Sequence, residues 1–185
     1  IMKKLLFVIP FIITVVYTSA LSQVTKTGTT AAKFLSVGIG PRANAMGGAF
    51  SSVASDASAL YWNPAGIALL TEHQAMFTYT NLFKDLDIKL NYLAVVLPTN
   101  GLGSFGLSVI ALDYGDLTVT TENYPEGTGE TFSASSYAFA LSYARSITEN
   151  FSAGITVKYI KEGIMNSSAD GIAFDVGTVF TTPFY

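Results

Sequence analysis

Few residues of this chain could do covalent chemistry. Its 185 residues include one histidine, His73, and no cysteine. A Ser-His-Asp triad would have to use His73, and no nucleophile elbow accompanies it. Without thiols there is neither a disulfide framework nor a thiolate metal site. Gly38-Ile39-Gly40-Pro41-Arg42-Ala43 has the look of a dinucleotide fingerprint. That motif needs a helix within a βαβ unit, and the sequence downstream offers only strands. Asp113, Asp116, Glu122, Glu126 and Glu130 crowd one connection with no Lys or Arg between them, which reads as a solvated loop. No catalytic residue, metal ligand or cofactor is expected, and the chain does not read as an enzyme.

The chemistry that remains is hydrogen bonding in a compact, glycine-rich stretch. Gly47 to Gly66 reads GGAFSSVASDASALYWNPAG. Asn63 precedes Pro64 and is pushed out of the helical region. Its amide can donate and accept at once, so it can tie a turn to a neighbouring wall. We expect Asn63 and Pro64 to anchor this segment, with Arg42 and Asp56 making its polar contacts. Gly38, Gly40, Gly47, Gly48 and Gly66 allow tight bends and close backbone approach.

What positions this segment follows from its flanks. Met2-Lys3-Lys4 is a positive n-region, and Leu5 to Tyr17 is apolar, broken only by Pro10 and Thr14. Thr18-Ser19-Ala20 and Ala20-Leu21-Ser22 supply small residues for a signal peptidase. The apolar run of about 13 residues is short of the roughly 20 a spanning helix needs. Residues 1–22 therefore read as a signal peptide. Hydrophobic residues make up 50% of the chain and charged residues only 12%, against about 25% charged in a soluble domain. Setting Lys3 and Lys4 aside leaves eight basic and 13 acidic residues, net −5, which argues against nucleic acid as a partner.

The surplus of apolar residues is arranged with period two. Ile88, Leu90, Tyr92, Ala94 and Val96 share one phase, with Asp87, Lys89 and Asn91 in the other. Phe105 to Ala111, Tyr137 to Tyr143, Phe151 to Tyr159 and Ile172 to Val176 alternate likewise with Ser, Thr, Gly and Ala. Gln74 to Thr80 is a weaker run. Six such segments have the length of tilted membrane strands. A soluble β-sandwich also alternates, but aromatics near strand ends (Tyr137, Tyr143, Phe151, Tyr159) suit an interfacial girdle. Arg145, in the phase of Tyr143, suits snorkelling. Lys89, Asn91, Lys158 and Asp175 are expected to face the lumen.

Connections alternate in length: Pro98 to Gly103 and Thr148 to Asn150 are short, whereas Asp113 to Thr131 and Lys161 to Asp170 are long. Short inner turns and long outer loops are the habit of membrane barrels. Six strands do not close a barrel, since about eight is the minimum for one chain, so the sequence reads as the N-terminal part of a longer barrel. The expected organisation is a signal peptide (1–22), an N-terminal hatch (23–72) and six antiparallel strands (73–185) of an outer-membrane β-barrel.

Lys33 to Leu70 resembles the N-terminal region of FadL-like barrels, specifically the PorV/PorQ family. The resemblance rests on Phe34-Leu35, Arg42, Met46-Gly47, Asp56-Ala57 and Trp62-Asn63-Pro64-Ala65-Gly66. Later pieces are Leu141 to Arg145, Gly154 with Val157-Lys158-Tyr159, and Phe174-Asp175-Val176-Gly177. The chain departs from PorV proper at Gly40-Pro41-Arg42, where Asp-Ala-Arg is usual, and at Gly66, where Lys is usual. The resemblance implies an all-β transmembrane barrel of about fourteen strands with the N-terminal segment folded in as a hatch. It marks Arg42, Asp56, Trp62, Asn63, Pro64, Ala65 and Gly66 as hatch and gating residues. It implies a bacterial outer-membrane protein in contact with lipid and lipopolysaccharide, acting as a shuttle of type IX secretion with cargo proteins and secretion components as partners. The alternative it offers is a FadL-type channel for a hydrophobic small molecule such as a fatty acid. A lipid-directed enzyme is the weakest of the three classes.

Overall fold

The computed structural model describes residues 31–99 and 101–182; the signal-peptide reading lies outside the described residues. Six strands form one antiparallel meander in sequence order. They are β1 (Gln74–Phe83), β2 (Ile88–Thr99), β3 (Gly103–Thr118), β4 (Thr131–Thr148), β5 (Phe151–Ile164) and β6 (Ser167–Phe180). The segment before β1 holds only short helical pieces: 3₁₀ turns at Lys33–Ser36 and Pro64–Leu69, and helices α1 (Pro41–Ala45) and α2 (Ala59–Trp62). The chain is all-β, and among the described residues no helix is long and apolar enough to cross a membrane.

The sheet has one covered and one bare face. The N-terminal segment lies on the covered face and shares a core with it. Phe34, Ile39, Phe50, Leu60 and Ile67 cluster with Leu90, Tyr92, Val96, Ile110 and Leu112. Further along, the covered face turns small and polar: Ser104, Ser108, Ser136, Ser142, Ser152 and Thr156 are all buried. Hydroxyls pair across strands there, as in Ser142 with Thr156 at 2.7 Å. The bare face carries the large apolar side chains. One register row runs Phe77, Leu93, Val109, Phe139, Tyr159, Ile172 across all six strands. The next runs Ala75, Val95, Leu107, Leu141, Val157, Phe174. On the central strand β4, Phe139 is 50% and Leu141 57% exposed.

Two expectations change. Lys89 and Asn91 lie on the bare face, in phase with Leu93, and not on the covered one. Leu90, Tyr92, Ala94 and Val96 are the buried set. The apolar underside of the N-terminal segment makes the covered face of β2 apolar too, so polarity there no longer marks the inner side. Lys89 sits above the apolar rows, 2.6 Å from Asp87 and in register with Asp113. The long connections also shrink. Strands β3 and β4 extend to Thr118 and from Thr131, leaving residues 119–130 between them. Strands β5 and β6 run to Ile164 and from Ser167, so Lys161 to Asp170 is a hairpin end and not a loop. Met165 takes a left-handed φ of 52° in its tight turn, as two-residue hairpins require.

Tyr92 is 1% exposed, and among the described residues its hydroxyl has no well-formed hydrogen bond, the Ser108 side chain being the polar group within reach. A buried hydroxyl without a partner costs desolvation, so Tyr92→Phe should be neutral or stabilising by up to about 1 kcal/mol. Urea midpoints in detergent micelles measure this. A clear loss of stability would reveal a partner for the hydroxyl.

Candidate functional site

The N-terminal segment is held by caps and turns. Pro41 opens α1, where its missing N–H costs nothing. Helix α1 closes in a Schellman motif: Gly48 N–H donates to Ala43 O at 2.9 Å and Gly47 N–H to Asn44 O at 3.0 Å. Gly47, with φ of 64°, takes the left-handed position that motif needs. The Trp62 indole N–H donates to Ile39 O at 2.9 Å. The Tyr61 hydroxyl reaches Leu35 O at 2.8 Å and Val37 O at 3.0 Å, donating to one at a time. Burial raises the pKa of Tyr61, which keeps it a donor. These two aromatics, packed edge to face at 5.0 Å, clamp residues 35–39.

Asn63 is the junction. Its backbone is extended, with φ of −162°, ahead of Pro64. Its Oδ1 accepts from the Ala65 N–H at 3.1 Å, capping the 3₁₀ turn Pro64–Leu69. Its Nδ2 donates to Ser51 O at 2.9 Å within the segment and to Thr178 O of β6 at 3.1 Å. One amide thus joins three backbone strands of different origin. Pro64, Ala65 and Gly66 are buried beside it. Gly66 is needed by space: a Cβ there would lie 2.6 Å from Ala54 O.

Arg42 and Asp56 meet each other at 2.7 Å. Asp56 also accepts from the Ser58 N–H at 2.9 Å and from the Ser58 hydroxyl, and the Arg42 guanidinium lies 5.0 Å over the Phe50 ring. The Arg42 side chain is 61% exposed, so the ion pair alone is worth under about 1 kcal/mol. Arg42→Gln should therefore be mild, whereas Asp56→Ala, which also leaves the Ser58 N–H and hydroxyl without their acceptor, should cost about 1–2 kcal/mol. Hydrogen exchange over residues 54–62 would show this, and equal effects would mean that the ion pair dominates.

Lys158 and Asp175 stand on the covered face, 2.5 Å apart. They line a cleft of about 390 Å³ with Tyr61, Trp62 and Asn63. Of the sequence-derived set, Trp62, Asn63, Pro64, Lys158 and Asp175 come together here. Arg42 and Asp56 lie apart from the cleft, and Lys89 and Asn91 are on the opposite face of the sheet. No His/Cys/Asp/Glu group able to hold a metal occurs among the described residues.

Sequence reasoning missed the wall side of this junction. Gly154 and Gly177 are direct register partners in β5 and β6. A Cβ on Gly177 would lie 2.1 Å from Asn63 Oδ1, and one on Gly154 would lie 2.6 Å from the Pro64 carbonyl carbon. Gly106 of β3 receives Leu60 in the same way, at 2.2 Å. The signal was available: a glycine inside a strand pattern marks close approach by another backbone.

Among known families, the model described as type IX secretion system protein PorV matches residues 20–183. No curated protein matches the chain.

Proposed function

This chain belongs to the PorV family of type IX secretion system proteins, and from that premise we propose that it is an outer-membrane β-barrel serving secretion as a protein-interaction shuttle. The observation that carries the membrane part is the bare face. Apolar rows cross all six strands without interruption. Toward the 119–130 end they stop at a row of Tyr79, Asn91, Ala111, Tyr137, Lys161 and Asp170, polar or aromatic at every strand but β3. At the opposite end they finish with Phe105 stacked on Tyr143 at 5.2 Å. Six residue steps take Tyr137 to Tyr143, about 20 Å along a strand, which at a tilt of about 40° covers about 15 Å, the inner part of a band about 25 Å tall. A soluble sheet this apolar on one face would be covered or would aggregate. The N-terminal segment then acts as a hatch on the inner wall.

A second reading has its own observation. A mostly apolar cleft of about 410 Å³ on the covered face, near the 119–130 end, is lined by Tyr114, Leu117, Ala134 and Ile164, with Glu162 and Ser136 among its polar members. It favours a FadL-type channel for a hydrophobic compound. The β4–β6 part of the wall favours the shuttle, since serine, threonine and glycine line it there, and the wall's large aliphatic side chains lie mainly in the core that β2 and β3 share with the N-terminal segment.

The test is a gene deletion complemented with the full-length protein. The shuttle reading expects the protein in the outer-membrane fraction and heat-modifiable on gels. It expects cargo bearing a C-terminal secretion domain to be retained in the deletion and released on complementation. Recovery in the soluble periplasm would sink the barrel. Normal cargo release in the deletion, with lost uptake of a fluorescent fatty acid, would turn the assignment to the channel.

A further inference from the structure

We propose that Gly154 and Gly177 are positioning residues: the paired seat on which the hatch is held against the wall. The inference rests on the hatch reading above but concerns seating, not transport. Two unrelated stretches of chain converge at this point. Asn63-Pro64-Ala65 comes from the N-terminal segment, and the glycine pair comes from neighbouring strands joined in direct register. A Cβ on Gly154 would lie 2.6, 2.7 and 2.8 Å from Pro64 C, Ala65 N and Pro64 O, all backbone. Backbone cannot rotate aside as a side-chain tip can. A Cβ on Gly177 would meet Asn63 Oδ1 at 2.1 Å and Pro64 Cδ at 2.9 Å, at the amide that also donates to Thr178 O.

A purely structural role makes the opposite forecast. Glycine inside a strand weakens it, so alanine there should be neutral or favourable for the sheet. Gly171 provides the internal control. It lies on β6 in the phase of Gly177, and a Cβ there would meet nothing within 4 Å.

The experiment uses the full-length protein in outer membranes. These 185 residues hold no cysteine, so with any cysteine elsewhere in the full-length protein replaced by serine, Ala54→Cys installs a single thiol at a hatch position only 6% exposed. Its labelling rate with a water-soluble maleimide reads hatch opening. Gly154→Ala and Gly177→Ala should each speed labelling by about tenfold or more through local opening, with heat-modifiability retained. Gly171→Ala should leave the rate unchanged. In an Asn63→Ala background, which removes the nearer of the two atoms that the new Cβ meets and leaves Pro64 Cδ, Gly177→Ala should add less than it does alone, the non-additivity expected of groups in contact. Unchanged labelling in both seat variants overturns the proposal, as does equal acceleration by Gly171→Ala. Should Gly177→Ala fail to assemble, restoration of assembly by Asn63→Ala supports the seat and failure to restore it overturns it. Faster labelling with cargo release and fatty-acid uptake both normal keeps the seat and removes the functional use of the hatch. Unchanged labelling removes the seat alone.

Discussion

Val109→Arg is expected to destabilise the membrane-inserted protein by about 2–4 kcal/mol, the cost of a charge on the lipid face near mid-bilayer. Val109 sits in the apolar row between Leu93 and Phe139, its register partners on either side. Tyr159, two strands away on β5, is the one residue of that row with a polar group. An arginine there must reach one row along the strand, about 7 Å, to bring its guanidinium level with Tyr137, and such snorkelling sets the lower end of the range. The adjacent residue tests the facing. Ser108 is buried between Ala94 and Ala140 on the covered face. Ser108→Arg therefore meets the hatch and not an open lumen. Insertion should survive while the hatch becomes accessible to protease. Urea titration of folding into lipid vesicles measures the first effect, and limited proteolysis measures the second. The same loss of insertion in both variants would mean that both faces are covered by protein, as in a sandwich.

Asn63→Ala should loosen the hatch by about 1–3 kcal/mol, because it removes one acceptor and two donors whose partners are then left unpaired. Those partners are the Ala65 N–H, Ser51 O and Thr178 O. The strand ladder does not depend on the amide, so the sheet should assemble at normal levels. Asn63→Asp sharpens the test. It keeps an oxygen for the Ala65 N–H but sets a carboxylate against two carbonyl oxygens, so it should be at least as damaging. In a shuttle, the loosened hatch changes cargo transfer and leaves fatty-acid uptake alone. In a channel, the reverse holds. If neither moves while protein levels are normal, the Asn63 junction is only a well-capped turn.

Much of the architecture was legible because period-two patterning states which residues can share a face. The runs around Phe105, Tyr137, Phe151 and Ile172 became strands with those residues on the bare side, since large apolar side chains alternate there with Ser, Gly and Ala. The dual use of the Asn63 amide followed from its type and from the proline after it. The hairpin end between Lys161 and Asp170 was hidden because polar residues occupy both phases there. A sequence gives no sign that such a stretch is still paired.

Three things belonged to the tertiary structure alone. The facing of β2 did, because Leu90, Tyr92 and Val96 are apolar for the sake of Phe50, Leu60 and Ile67, residues from another part of the chain. The partner of Arg42 did, because Asp56 reaches it only after two turns bring them together. The close approach of Asn63 and Pro64 to Gly154 and Gly177 did as well. A side-chain alternation is written locally and can be read one strand at a time. The space that lets Asn63 and Pro64 rest on Gly154 and Gly177 exists only where the N-terminal segment meets the β5–β6 hairpin, and neither stretch carries it alone.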